Sequence, residues 1–247
     1  MWCVNTEDGY DLREALRDLA LERGWDYADF DPALPTRWRG VPFGREDAAA
    51  VHVVTGQAGG APVLAFEYWV DQDAQWLVVA VPLPAGLPRF SLVPRQDPVD
   101  DEPVDDEPFG YEFETEDADL GRRYVVYAAD GDVAAGVLHL DAVQVLRTHR
   151  TVDWRVEGRD LLAVEPAAHR EYGPEDIQAT IDALARIAAG IPAELFGRYE
   201  PVPAYPPPLG PVAPRGTEAT PAIPTAPAVP ATPPADPLAA LRDTTPW

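Results

Sequence analysis

Twelve of the 23 residues in DPVDDEPVDDEPFGYEFETEDAD, Asp97 to Asp119, are carboxylates, and none is basic. Calcium takes roughly six to eight oxygen ligands, so a site for it would draw on Asp100, Asp101, Glu102, Asp105, Asp106 and Glu107. The repeat DEPVDDEP lacks the glycine-centred alternation of an EF-hand loop, and its prolines space the carboxylates along an extended backbone. At about 6 Å of extended chain per charge against about 3.4 Å per phosphate on one DNA strand, the run has about half the charge density of a good nucleic-acid mimic, so mimicry stands mainly as binding of a basic protein surface with other carboxylates brought alongside. The expectation is a solvated loop between two strands, electrostatic and not coordinative in effect.

Other chemistries are thinly supplied. His52, His139, His149 and His169 include no pair at HxxxH or HxH spacing. The only serine, Ser91, falls inside a short strand pattern, and the only cysteine, Cys3, lies near the start of the chain. Neither has the turn context of a nucleophile. His169, in HREYGPED, reads as an exposed loop histidine. Lysine is absent, which removes Schiff-base chemistry and the ordinary GxxxxGK[ST] phosphate loop, so TGQAGGAP (Thr55 to Pro62) reads as a hairpin turn. One cysteine excludes an internal disulfide and a four-thiolate zinc site. No catalytic residue and no cofactor is predicted. The rival reading is a divalent-metal-dependent enzyme or binder that uses carboxylates from Glu112 to Asp119 with His139 or His169.

All 19 basic residues are arginine against 42 acidic ones, giving a net charge of −23. Such a chain repels anionic headgroups and phosphates, so neither a membrane nor nucleic acid is expected as a partner. No signal peptide or membrane-spanning stretch is read, and cytoplasm is the expected compartment. Abundant Ala, Gly, Pro, Arg, Asp and Val point to a GC-rich genome.

The elements are read from periodicity. Leu12, Leu16 and Leu19 repeat at helical spacing up to Gly24. Strands are predicted over 51–56, 62–70, 75–83 and 89–94, the third of them buried on both faces. Phe66, Tyr68, Trp69 and Trp76 fall on adjacent strands, where packing outweighs a ligand pocket. RRYVVYAADGDVAAGVL reads as a strand ending in an Asp130-Gly131 turn, followed by a helix around Leu140 to His149 and a hairpin in VDWRVEGRDLLAVE turning at Glu157-Gly158. A second amphipathic helix begins at Pro174, with Ile177, Ile181, Leu184 and Ala188 as its buried stripe. The fold class is α+β: a mainly antiparallel sheet with flanking N-terminal and C-terminal helices.

RGWDY (Arg23 to Tyr27), VPFG (Val41 to Gly44), VVTG (Val53 to Gly56), AFEYWV (Ala65 to Val70) and RRYVVYAADGDVAAGVL (Arg122 to Leu138) occur in that order. Through them the stretch from about Leu21 to Ile191 resembles an uncharacterised, largely actinobacterial family of proteins with no assigned activity. Leu120-Gly121 and His139-Leu140 depart from that pattern, where Phe-Asn and Thr-Pro are expected. The resemblance implies a fold and an actinobacterial source, not an activity.

From Glu200 onward 15 of 48 residues are proline. The division expected is an acidic globular domain over 1–199 and a disordered Pro/Ala/Thr-rich tail over 200–247. Within the tail, DPLAALRDTTPW (236–247) brings back apolar anchors on a tether. Leu238, Leu241, Arg242 and Trp247 are therefore the candidate partner-binding residues. The function expected is non-enzymatic: a protein-interaction or accessory role with an unknown, basic protein partner. An acidic inhibitor or mimic binding a basic protein is a further alternative.

Overall fold

The structure is a computed structural model that describes residues 11–70, 74–95, 110–167 and 170–199. Helix α1 (Leu12–Arg23) starts where the Asp11 side chain accepts the Arg13 N–H and stops at Gly24, whose φ of 64° no β-carbon opposes. Strand β1 (Asp26–Phe30) leads to a short 3-10 turn (Leu34–Thr36), then β2 (Ala49–Ala58), β3 (Ala61–Val70), β4 (Ala74–Pro82) and β5 (Phe90–Pro94). Next come β6 (Tyr111–Glu112), α2 (Ala118–Arg123), β7 (Tyr124–Ala128), α3 (Gly131–Val137) and α4 (Leu140–Thr148). The chain continues through β8 (Asp153–Glu157), β9 (Asp160–Pro166), α5 (Pro174–Gly190) and α6 (Ala193–Phe196).

The strands form one nine-stranded sheet in the order β1-β2-β3-β4-β9-β8-β5-β7-β6. Every pairing is antiparallel. The fold is the α+β class read from the sequence. β2 and β3 turn at Gly59-Gly60, both at positive φ (59° and 84°), the backbone that a two-residue hairpin requires. In β4, Leu77, Val79 and Val81 join one core cluster while Val78 and Ala80 join a second, so the strand is buried on both faces.

The first cluster lies under the helices. Ile177, Ile181, Leu184 and Ile187 of α5 are at most 2% exposed, each contributing about 1.5–3 kcal/mol by burial. The second cluster lies on the opposite face, where Leu34, Trp38 and Phe43 from the segment between β1 and β2 cover Phe66, Tyr68, Val78 and Leu162. It contains no residue of β8, β5 or β7.

Three readings need correction. Asp130-Gly131 is not a turn after β7: the Asp130 carboxylate accepts the Asp132 N–H and caps α3. The β8–β9 turn sits one residue later than expected, because Glu157 pairs with Asp160. The acidic run is not a plain loop throughout, since Tyr111–Glu112 pairs with β7 and Asp117 caps α2. Asp100, Asp101, Glu102, Asp105, Asp106 and Glu107, together with Cys3, His169 and the whole tail with Leu238, Leu241, Arg242 and Trp247, lie outside the described residues.

Candidate functional site

A buried carboxylate fixes one wall of the site. Asp160, at the start of β9, is 3% exposed. Arg37 donates to it twice, from Nε at 2.8 Å and Nη2 at 2.7 Å, and the Trp38 indole N–H donates at 3.0 Å. Two-pronged pairing with a third donor is the arrangement that lets an ion pair survive removal from water. Trp38, held in this way, stacks on Phe66 at 5.8 Å and meets Phe43 at 5.2 Å. The segment between β1 and β2 is thereby clamped over one half of the sheet face.

Beside that clamp the face opens into a groove of about 530 Å³. Its apolar surface comes from Val41, Pro42, Trp76, Val93, Tyr127 and Val164. Strand alternation decides which side chains reach it. Trp154, Val156, Phe90 and Leu92 turn towards the helices, so Asp153, Arg155, Glu157, Ser91 and Val93 turn to the groove.

The polar groups of the groove are organised by ion pairs. Arg155 pairs with Asp153 and donates from Nη1 to the Val41 carbonyl at 2.8 Å, tying the groove rim to β8. Glu157 Oε1 accepts from Arg89 Nη2 at 2.9 Å and from the Arg39 backbone N–H at 3.0 Å, while its Oε2 is buried without a hydrogen bond. Burial accordingly raises the Glu157 carboxyl above its ordinary range against the pull of these donors. Ser91 lines the groove, and no histidine does among the described residues. The arrangement supplies shape, apolar surface and guanidinium charge, not an activated nucleophile.

A second constellation sits at the other end of the sheet, under α1. The β2–β3 register slips between Val51 and Val54, and His52, within that bulge, has a φ of 53°. It is the only non-glycine residue at positive φ among the described residues, a conformation costing about 1–3 kcal/mol. The imidazole Nδ1 lies 2.8 Å from the Tyr27 hydroxyl, and Nε2 lies 3.8 Å from Glu67 Oε2. Glu67 is 2% exposed, and burial pushes its carboxyl up to about 7, with the Trp69 side chain acting in the opposite direction. Burial, then Arg13, lowers the His52 imidazole.

The remaining sequence candidates are occupied by structural duties. His139 Nδ1 accepts the Ala142 N–H at 3.2 Å to cap α4, and its Nε2 lies 3.0 Å from the Ile187 carbonyl. His149 packs edge-on against Trp154, and burial, then Arg150, holds it down at about 4. Glu112, Asp117 and Asp119 face Arg95, Arg147 and Arg122 respectively. Among the described residues no three His, Cys, Asp or Glu side chains converge as a metal site would require. No described helix is long and apolar enough to cross a membrane.

Sequence reasoning missed Asp160 and Glu67. Asp160 is 123 positions from Arg37, and Glu67 stands inside an apolar strand pattern. A lone carboxylate in AFEYWV was the only available signal.

No family model matches the chain, and no curated protein matches it. A solved structure does: the crystal structure of the mycobacterial trehalose monomycolate transport factor A, TtfA, with a TM-score of 0.51 and 20% identity. The match covers 78% of this chain and 98% of that one. At that identity the likeness is one of fold.

Proposed function

We propose that this chain is a non-enzymatic accessory protein of the cytoplasm, a member of the actinobacterial family it resembles, and that its groove receives an extended peptide from a protein partner. The observation that carries this reading is the half of the sheet face that no described element packs over. The segment between β1 and β2 reaches β8 only at its rim, through Arg39 and Val41, and beyond that rim an apolar surface of Val93, Tyr127 and Val164 is left as a groove within the roughly 300–1,000 Å³ range of ligand pockets. Charge narrows the occupant. Arg39, Arg89 and Arg155 line the groove beside Asp153, Glu157 and Glu165, so its charge is balanced on a chain with net charge −23. A segment with apolar anchors and a flanking carboxylate meets less repulsion there than over the rest of the acidic surface. The fold shared with a protein described as a transport factor supports an accessory role in transport over catalysis. The tail residues Leu238, Leu241, Arg242 and Trp247 supply a second, tethered contact in this reading.

Selection from a displayed peptide library against the full chain tests the groove. Enrichment of apolar pairs flanked by Asp or Glu is expected, with at least tenfold weaker binding to Val93→Arg and Arg39→Glu. No enrichment, or binding indifferent to both substitutions, overturns it. Truncation after Tyr199 tests the tail separately, because it leaves the groove intact.

A further inference from the structure

The groove carries an aromatic ring towards each end. Tyr127 lies on β7 between Val126 and Ala128, which face the helices, and Trp76 of β4 packs with the cluster on the opposite face. Tyr127 is level with Ala80 of β4 through Ser91, Arg155 and Leu162, and Trp76 is four residues back along that strand. Four strand spacings of about 4.8 Å and four residues of about 3.4 Å therefore separate Tyr127 from Trp76 by roughly 23 Å. Between them lie Val93, Val164 and the Asp153–Arg155 pair. Apolar rings with a donor at the tip, set along a groove, suit a polyproline segment, which presents carbonyls and has few N–H groups in need of partners.

The sequence places such a segment beside the groove. Residues 201–211 read PVPAYPPPLGP, six prolines in eleven residues with no charged side chain. Chain this rich in proline has little conformational freedom to lose on docking. At about 3.1 Å per residue it reaches roughly 34 Å. The residues just before it are pinned at the end of β7: the Tyr199 hydroxyl donates to Asp130 at 3.0 Å, and Arg198 pairs with Asp132. Asp130 is three residues from Tyr127, about 10 Å of extended chain. The approach and the crossing together are close to the reach of the segment. Charge agrees, since a neutral segment suits a groove whose arginines are paired with Asp153 and Glu157.

We propose that residues 201–211 occupy the groove of their own chain, so that a partner peptide must displace them. This rests on reading the groove as a peptide site and concerns what fills it before the partner arrives. Held by its tether at an effective concentration in the millimolar range, even a weakly binding segment fills the groove for most of the time. A partner with a carboxylate beside its apolar anchors displaces it through the arginines, which the neutral segment does not engage by charge.

Photocrosslinking of the full chain, with a benzophenone side chain in place of Tyr205, tests this without any partner. Crosslinks are expected within one molecule, to Tyr127, Val93 or Val164, and should disappear when Val93→Arg is added. Crosslinks only between two molecules, only outside the groove, or none at all overturn the proposal. A second measurement uses a peptide selected from the displayed library. Replacing residues 201–211 by a Gly/Ser stretch of equal length, with the rest of the tail kept, should tighten its binding about tenfold, as for a groove free one tenth of the time. Unchanged affinity overturns self-occupancy and leaves the groove a peptide site. Groove crosslinks with no library peptide sink the partner reading instead and keep the groove as a docking site for the chain's own segment.

Discussion

Asp160 and Glu67 are buried almost equally, at 3% and 2% exposure, yet they stand in opposite electrostatic situations. Asp160 receives two guanidinium donors and an indole N–H, and anchors the segment that walls the groove. Glu67 is acted on by the Trp69 side chain but by no guanidinium, has a neutral imidazole only at 3.8 Å, and under burial its carboxyl rises to about 7. Depth of burial therefore does not decide what a carboxylate does in this fold. The donors brought to it decide, making one a fixed anchor and the other a titrating group.

The largest expected effect breaks the anchor. Arg37→Ala or Asp160→Ala should cost about 3–5 kcal/mol in urea unfolding, because each leaves a buried partner uncompensated. Arg37→Met combined with Asp160→Leu should recover much of that loss, which separates the worth of the pair from the cost of orphaning half of it. The next effect runs the other way. Glu67 in the fold titrates at about 7 against 4.5 when free, so Glu67→Gln should stabilise the protein by about 3 kcal/mol at pH 8, fading below about pH 4. A stabilisation that does not change with pH would remove Glu67 from the comparison.

A smaller effect belongs to His149, whose folded value of about 4 lies below the ordinary 6.5. Falling pH protonates it in the unfolded chain first, so stability is lost below about 6.5. His149→Gln should return roughly 1 kcal/mol of that loss at pH 5, allowing for its partial exposure, as read from urea midpoints relative to pH 8. Val93→Arg should be smallest in stability, within about 0.5 kcal/mol, because its site is half-exposed. Its effect should appear in peptide affinity instead.

The sequence made legible the features that repeat locally. Leu12, Leu16 and Leu19 announce α1, and Gly59-Gly60 announces the β2–β3 hairpin, because periodicity and turn chemistry act within a few residues. Strand β1 escaped notice because DYADF is an edge strand, where aspartates discourage further pairing and only one side must be satisfied. Asp130-Gly131 misled for a related reason, since an aspartate before glycine suits a turn as well as the start of a helix. The candidate sites were out of reach. Groove residues Trp76, Val93, Tyr127 and Val164 come from four separate strands, and an irregular register such as that at His52 leaves no trace in side-chain alternation.

The strand order also has a consequence during synthesis. β4 and β5 are consecutive strands of the chain but are separated in the sheet by β9 and β8, the last two of the described strands. A ribosome adding about 5–20 residues per second needs roughly 4 to 16 seconds to pass from Pro82 to Asp160. Throughout that interval β4, whose residues from Leu77 to Val81 are all buried, has an open hydrogen-bonding edge whose partner is not yet made. The nascent chain is therefore most vulnerable to aggregation in its middle, and the β8–β9 hairpin ends that exposure by inserting into the centre of the sheet instead of extending its rim.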